Sequence, residues 1–382
     1  MQQATQLSPL TTRELHIFFS AHFLYGLGVS ILQVFVSVYL FEQGIALAWV
    51  LGYFAILNLS RFVFVPFTGI LASRWGAKKT LIVGYILQAL AFMAVPFVKQ
   101  VDGVFVLAAA LYGAGFALYV SYHIHFSKIT QQLKRGKPMG YINVLSSATS
   151  IIGPAIGGYF ISQAGFLGTA VWTFVLIVGA ALVLLRTPEA SHIRPFQWRS
   201  MPSMLRRIWP DLVGNGFFNF QFITAGAVWP LFIFLIIPSY FSLGLIQAAS
   251  AFAGMIAFHA SGTLTDKFRN KALLLWSSVV YALVAGARVL AYNIPTVSAA
   301  NIASSASGSF QLIPWSTLFY KHMDEEHRAE YCVLFEMGAA LISAIGIGAL
   351  AALAALLPMH QALVVAIVVS GAAGLAINVV RK

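Results

Sequence analysis

Charge is scarce in this chain. Only 9% of its 382 residues are Asp, Glu, Lys or Arg, against 59% that are hydrophobic, and mean hydropathy reaches +0.84. A soluble protein of this length has no interior large enough to hide so much apolar surface. Cysteine is nearly absent. Cys332 stands alone, which excludes an internal disulfide and any cysteine-based metal cluster. Walker loops, H-E-x-x-H and G-x-S-x-G are all missing, so no enzyme is expected and no cofactor is called for. No long run alternates apolar with polar residues, which argues against a β-barrel. The polar start, Met1 to Thr12, lacks the basic region and cleavage site of a signal peptide, so the first apolar run is expected to remain as an anchor.

What the chain does have is apolar runs of membrane length. About 20 such residues cross the hydrocarbon core as a helix. The runs predict an all-α membrane protein of twelve helices, at roughly 14–41, 45–72, 80–98, 103–127, 139–163, 166–186, 209–237, 240–264, 272–291, 295–320, 329–357 and 359–380. The sizeable hydrophilic break, 187–208, is basic and proline-rich. It divides a first six-helix unit, 1–186, from a second, 209–382.

The net charge of +12 invites a nucleic-acid reading, which its distribution opposes. With both termini inside, all but three of the 23 Lys and Arg residues fall on the inner side. Lys99 is outside, and Arg61 and Arg288 lie within spans. This is the bias that orients membrane proteins. The basic charge sets orientation and no nucleic-acid partner is expected. The absence of outer domains points to a prokaryotic cytoplasmic (inner) membrane.

One constant offset carries Gly69, Leu71, Arg74 and Lys78 onto Gly262, Leu264, Lys267 and Lys271. It also carries Lys128 onto Lys321, Arg135 onto Arg328 and Gly153 onto Gly346. Two copies of one membrane unit follow, a common way to build a central site that opens alternately to each side.

The loop after the second span runs from Gly69 through Leu71, Ser73, Arg74, Gly76 and Lys78; its copy holds Gly262, Leu264, Asp266, Lys267 and Lys271. Here the chain resembles the major facilitator superfamily, whose hallmark is G-x-L-a-D-r-x-G-r-k at these two loops. The resemblance implies that the acidic residue helps lock one conformation. Asp266 matches it and Ser73 departs from it. The fifth span carries Gly153-Pro154-x-x-Gly157-Gly158, which looks like the signature of the superfamily's drug–proton antiporters. Its functional reading is an export-type hinge; a plain packing kink is the alternative. The arginine those exporters place in the fourth span is absent from Phe105–Gly113.

An ionisable group inside a bilayer is a functional candidate by default. Arg61 lies about 18 Å, and Glu336 about 12 Å, from the inner end of its helix at about 1.5 Å per residue. The resemblance places spans 2 and 11 face to face, so Arg61 and Glu336 are expected to pair or exchange partners. It also implies that spans 1, 4, 7 and 10 line the central cavity. On those spans His22, Gly26 and Gln33 share a face, as do Tyr112, Phe116 and Tyr119. Asn215, Asn219 and Phe222 form a third face, and Ser305 and Ser309 a fourth, with Gln311 nearby. An aromatic first half and a small-polar second half suit a moderately amphiphilic small organic solute. His22 is the candidate for carrying protons, since its ordinary pKa lies near neutrality. His123 and His125 are read as reaching interfacial water and not a metal. Arg288 and Asp211 are read as groups at span ends.

The resulting expectation is a monomeric secondary active transporter, coupled to protons and exporting its solute. Uptake by symport or facilitated passage is the alternative, and a non-transporting receptor is the reading from another class.

Overall fold

The computed structural model describes residues 12–131, 136–187, 196–267, 270–322 and 328–381. Among them no strand occurs. α1 (Thr12–Leu32) and α2 (Val36–Glu42) form one crossing, broken by a 3-10 turn at Gln33–Phe35. Then come α3 (Leu47–Trp75), α4 (Ala77–Ala94), α5 (Gly103–Gln131) and α6 (Gly136–Leu185). The last six are α7 to α12, at Met201–Ile236, Tyr240–Lys267, Asn270–Arg288, Ile294–His322, Arg328–Ala354 and Met359–Ala376. α6 is two crossings joined at Gly165, whose φ of 71° sits in the left-handed region that glycine tolerates. Among the described residues this makes twelve helical passes.

One boundary differs from expectation. α7 begins at Met201, inside the segment read as a linker. Met201, Met204 and Ile208 are buried while Leu205 remains exposed. That is a short amphipathic stripe, which its basic neighbours conceal in a simple hydropathy reading.

α1 packs along α6, α5 against α3 and α4, α7 against α11 and α12, and α10 against α8 and α9. Two seams join the earlier helices to the later ones: α3 with α11, and α6 with α8. The repeat recurs in the contacts. The Lys78 ammonium donates to the Thr187 carbonyl beyond α6. Its copy Lys271 donates to the Val380 carbonyl beyond α12 at 2.8 Å. Each lysine ties the end of a helix hairpin to a carbonyl that the helix leaves unpaired.

Glycine sets the closest approaches. A Cβ on Gly157 would strike the Ile31 carbonyl of α1, and one on Gly346 the Phe220 ring of α7. Small residues let membrane helices touch backbone to backbone, where dispersion and not hydrophobicity drives association.

Candidate functional site

The α3–α11 seam holds an embedded ion pair. Arg61 is 2% exposed and its guanidinium donates to the Glu336 carboxylate, which is 19% exposed. The same guanidinium lies 4.2 Å from the Phe116 ring centroid. Its other terminal nitrogen reaches Asn219 Oδ1 at 3.4 Å. Asn219 donates in turn to Asn215 Oδ1 at 2.9 Å, and Asn215 to the Phe335 carbonyl at 2.9 Å. Four helices thus converge on one charge pair, which is the arrangement a buried cation requires. The partial exposure of Glu336 leaves its carboxylate within reach of water.

Beside it, α1, α4 and α5 build an aromatic ladder. His22 stacks on Tyr122 at 5.0 Å, Tyr122 on Tyr119 at 5.2 Å, Tyr119 on Tyr25 at 5.1 Å and Tyr25 on Tyr85 at 4.0 Å. Tyr25 donates to Gln88 at 2.7 Å. His123 stands edge-on to Tyr122 and lies within electrostatic range of Arg61 and Glu336. His22 Nε2 lies 3.2 Å from Ser146 Oγ on α6.

The α6–α8 seam is closed at one end and open at the other. A Cβ on Gly244 would strike the Pro154 carbonyl, and one on Gly158 the Tyr240 carbonyl. Tyr240 also donates to Glu42. Nearer the linker end, the two helices part around a crevice of about 300 Å3. Asn143, Ser146, Ser147 and Ser150 line one wall; Ala251, Gly254, Met255 and Phe258 line a second; and α10 adds Ser305, Ser309 and Leu312.

A model of the Major Facilitator Superfamily matches residues 18–243. The chain belongs to this superfamily. It is a multi-pass integral membrane protein of a transporter family. It is 26% identical over 346 residues to the uncharacterized protein YqgE of Bacillus subtilis, covering 82% of this chain and 76% of that one. It is 25% identical over 300 residues to the multi-drug resistance efflux pump PmrA of Streptococcus pneumoniae, covering 72% and 73%. In structure it resembles the nucleoside transporter NupG with a TM-score of 0.72 at 12% identity, covering 96% and 98%.

The superfamily loop motif serves as a joint. Gly76, at φ 101°, turns α3 into α4. Gly69 leaves a slot for the Phe196 ring, where a Cβ would collide. The next residue, Gln197, donates its amide to Glu330 on α11 at 2.7 Å. The linker therefore bridges both sides of the α3–α11 seam. Ser73 donates to its own helix at Ile70, 2.8 Å away, and Arg74 is exposed. The side chains of Asp266, Lys267, Lys128, Arg135 and His125 lie outside the described residues.

Of the cavity candidates, Phe116, Asn215 and Asn219 cluster near the ion pair, Tyr119 lies in the aromatic ladder, and Ser305 and Ser309 line the crevice. His22 touches the crevice wall through Ser146. Gly26 packs on Thr149 of α6. Others lie elsewhere. Gln311 is buried between Gln221, which donates to it at 2.7 Å, and Ser278. Tyr112 is buried against Phe92. Gln33 and Phe222 are exposed. Gly153, Pro154, Gly157 and Gly158 pack on α1 or α8.

Two residues read as span-end groups are buried. Arg288 is buried with its guanidinium 4.6 Å from the Trp229 ring centroid. Asp211 is 1% exposed and accepts from Arg381 Nε at 2.7 Å, with His322 Nδ1 at 3.2 Å. Burial holds His322 below the ordinary imidazole value, against the pull of Asp211. The serine wall of α6 was overlooked in the sequence, although 143, 146, 147 and 150 share one helical face.

Proposed function

We propose that the chain is a secondary active transporter that moves a small organic solute by alternating access, with proton entry driving efflux. Two six-helix units, 1–186 and 209–382, rock about the seams, and the protein works as a monomer in a prokaryotic inner membrane with both termini cytoplasmic. The observation that carries this reading is the Arg61–Glu336 pair, which joins helices of the two units inside the bilayer. An embedded pair that spans a moving seam couples charge to conformation, since each state of the seam gives the two groups different partners. Glu336 is the coupling carboxylate in this scheme and His22 an accessory group. Phe116, Tyr119, Asn215, Asn219, Ser305 and Ser309 face the solute path. Similarity to PmrA and the Gly153–Gly158 run favour export.

Uptake is the second reading, favoured by the missing arginine between Phe105 and Gly113. Flux in vesicles under an imposed proton gradient of either sign separates the two. Efflux predicts accumulation driven by an acidic lumen in inside-out vesicles, lost in Glu336→Gln. Flux that ignores the gradient overturns proton coupling, and gradient-driven flux that survives Glu336→Gln overturns the role of Glu336.

A further inference from the structure

The crevice between α6, α8 and α10 has a chemistry of its own. Among the described residues no ionisable side chain lines it, with His22 lying behind Ser146. The embedded charges of Arg61 and Glu336 are engaged with each other on the opposite seam. A charged solute entering here would shed water without gaining a counter-charge, at a penalty of several kcal/mol per ion.

The hydroxyls carry the sharper signal. Ser150 Oγ donates to the Ser146 carbonyl at 2.8 Å. Ser309 Oγ donates to the Gly254 carbonyl at 2.9 Å and lies 3.0 Å from that of Ser305. A carbonyl oxygen only accepts, so these hydroxyl protons are already committed. These two hydroxyls keep oxygen lone pairs for a ligand, while Asn143, Ser147 and Ser305 beside them can both donate and accept. Such a wall best matches a solute that carries hydrogen-bond donors as well as acceptors, and an acceptor-only solute leaves the lone pairs of Ser150 and Ser309 unused. Opposite it, Met255, Phe258 and Leu312 offer apolar surface, with the methionine able to adapt its shape. About 300 Å3 is the lower end of the range for small-molecule sites, roughly 300–1,000 Å3.

We infer that this crevice binds an uncharged amphiphile bearing hydrogen-bond donors, such as a diol, polyol or primary amide on an apolar body. The inference deepens the transporter reading and rests on it for the movement of the solute, but not for its binding.

The test uses full-length protein in nanodiscs and four probes on one body. These are 3-phenylpropane-1,2-diol, its dimethyl ether, 3-phenylpropyl-trimethylammonium and 3-phenylpropanoate. Equilibrium binding is expected to favour the diol at least tenfold over the other three. Ala251→Trp, which fills the crevice, is expected to abolish diol binding, and Ser309→Ala to weaken it severalfold. Where Ala251→Trp melts early, Ser150→Leu replaces it. Equal or tighter binding of either ion or of the ether overturns the proposal, as does diol binding that survives the filled crevice, or no binding by any probe. Flux in proteoliposomes is scored separately. Diol binding without movement retains the crevice chemistry and sinks the carrier; gradient-driven movement of a cation with no diol binding does the reverse.

Discussion

Breaking the ion pair from either side is expected to be far more damaging than removing it whole. Glu336→Gln leaves the Arg61 guanidinium, 2% exposed, with Asn219 and the Phe116 face but no counter-charge. At contact distance and an effective dielectric of about 20, the lost attraction is about 4 kcal/mol. Measured losses for half-broken buried pairs run about 3–5 kcal/mol. Glu336→Gln alone is therefore expected to cost about 3–5 kcal/mol. Arg61→Met alone strands a carboxylate that reaches water, so it should cost less. The double change Arg61→Met with Glu336→Gln removes both charges and should lie within about 1 kcal/mol of the native chain, since neutral replacements of buried pairs are often harmless.

The assay is a double-mutant cycle on melting temperature in one detergent at one scan rate. Coupling is read as the difference between the double variant and the sum of the singles. A double variant that melts as low as the sum of both losses refutes direct pairing. Transport adds a second reading, because the double variant should fold yet no longer respond to a proton gradient.

Other outcomes follow from the geometry. Lys78→Met and Lys271→Met each remove a charged donor from a helix-end carbonyl, a bond of about 1.5–3 kcal/mol. Their losses in melting should add to within about 0.5 kcal/mol, since they tie different hairpins; strong coupling between them would show that the two ties are not independent. His322 sits outside the spans with its pKa below the ordinary 6.5 because burial disfavours the charged ring. The fold thus prefers the neutral form, so its contribution is full above that pH and is lost as pH falls below it. Melting of the native chain should decline more steeply than that of His322→Gln over this acid window, and parallel curves would refute the assignment.

Much of the architecture was legible because a bilayer imposes it. Backbone groups in hydrocarbon must pair within a helix, so apolar length alone marks a crossing. α10 is the instructive case. Its serines and Asn301 lower its hydropathy, yet it packs between α8 and α9, where Asn301 donates to Ser250 at 2.9 Å and accepts from Trp229 at 2.9 Å. The repeat exposed Lys78 and Lys271 as equivalent but not what they hold, because their partners are backbone carbonyls without sequence identity. A periodic face cannot tell a cavity from a neighbouring helix either. Gln311 and Ser309 sit two residues apart, one sealed against Gln221 and the other lining the crevice. Phe196 gave no signal, since its slot is the absence of a side chain at Gly69.

The two seams differ in chemistry, and the difference yields a last prediction. The α3–α11 seam is held by directional groups: an ion pair, the Phe196 ring and the Gln197–Glu330 bond. Where α6 meets α8 near Gly158 and Gly244, backbone touches backbone. Such contacts are individually weak and reform without repacking side chains, which suits a surface that parts and rejoins. The crevice walls continue that seam with equally small residues, Ser147 and Ser150 facing Ala251 and Gly254. Tilting α6 on α8 would close them and spread the far end. Bulk placed at opposite ends of the seam must then act in opposite senses. Gly244→Leu should wedge the far end apart and favour a closed crevice, whereas Ser147→Phe should hold the crevice open. Spin-label distances between 143 and 258, set against distances between 159 and 241 in a Cys332→Ser background, report both ends. Each variant should lengthen one distance and leave the other equal or shorter. If both lengthen together in either variant, the seam swells without rocking and the hinge argument fails.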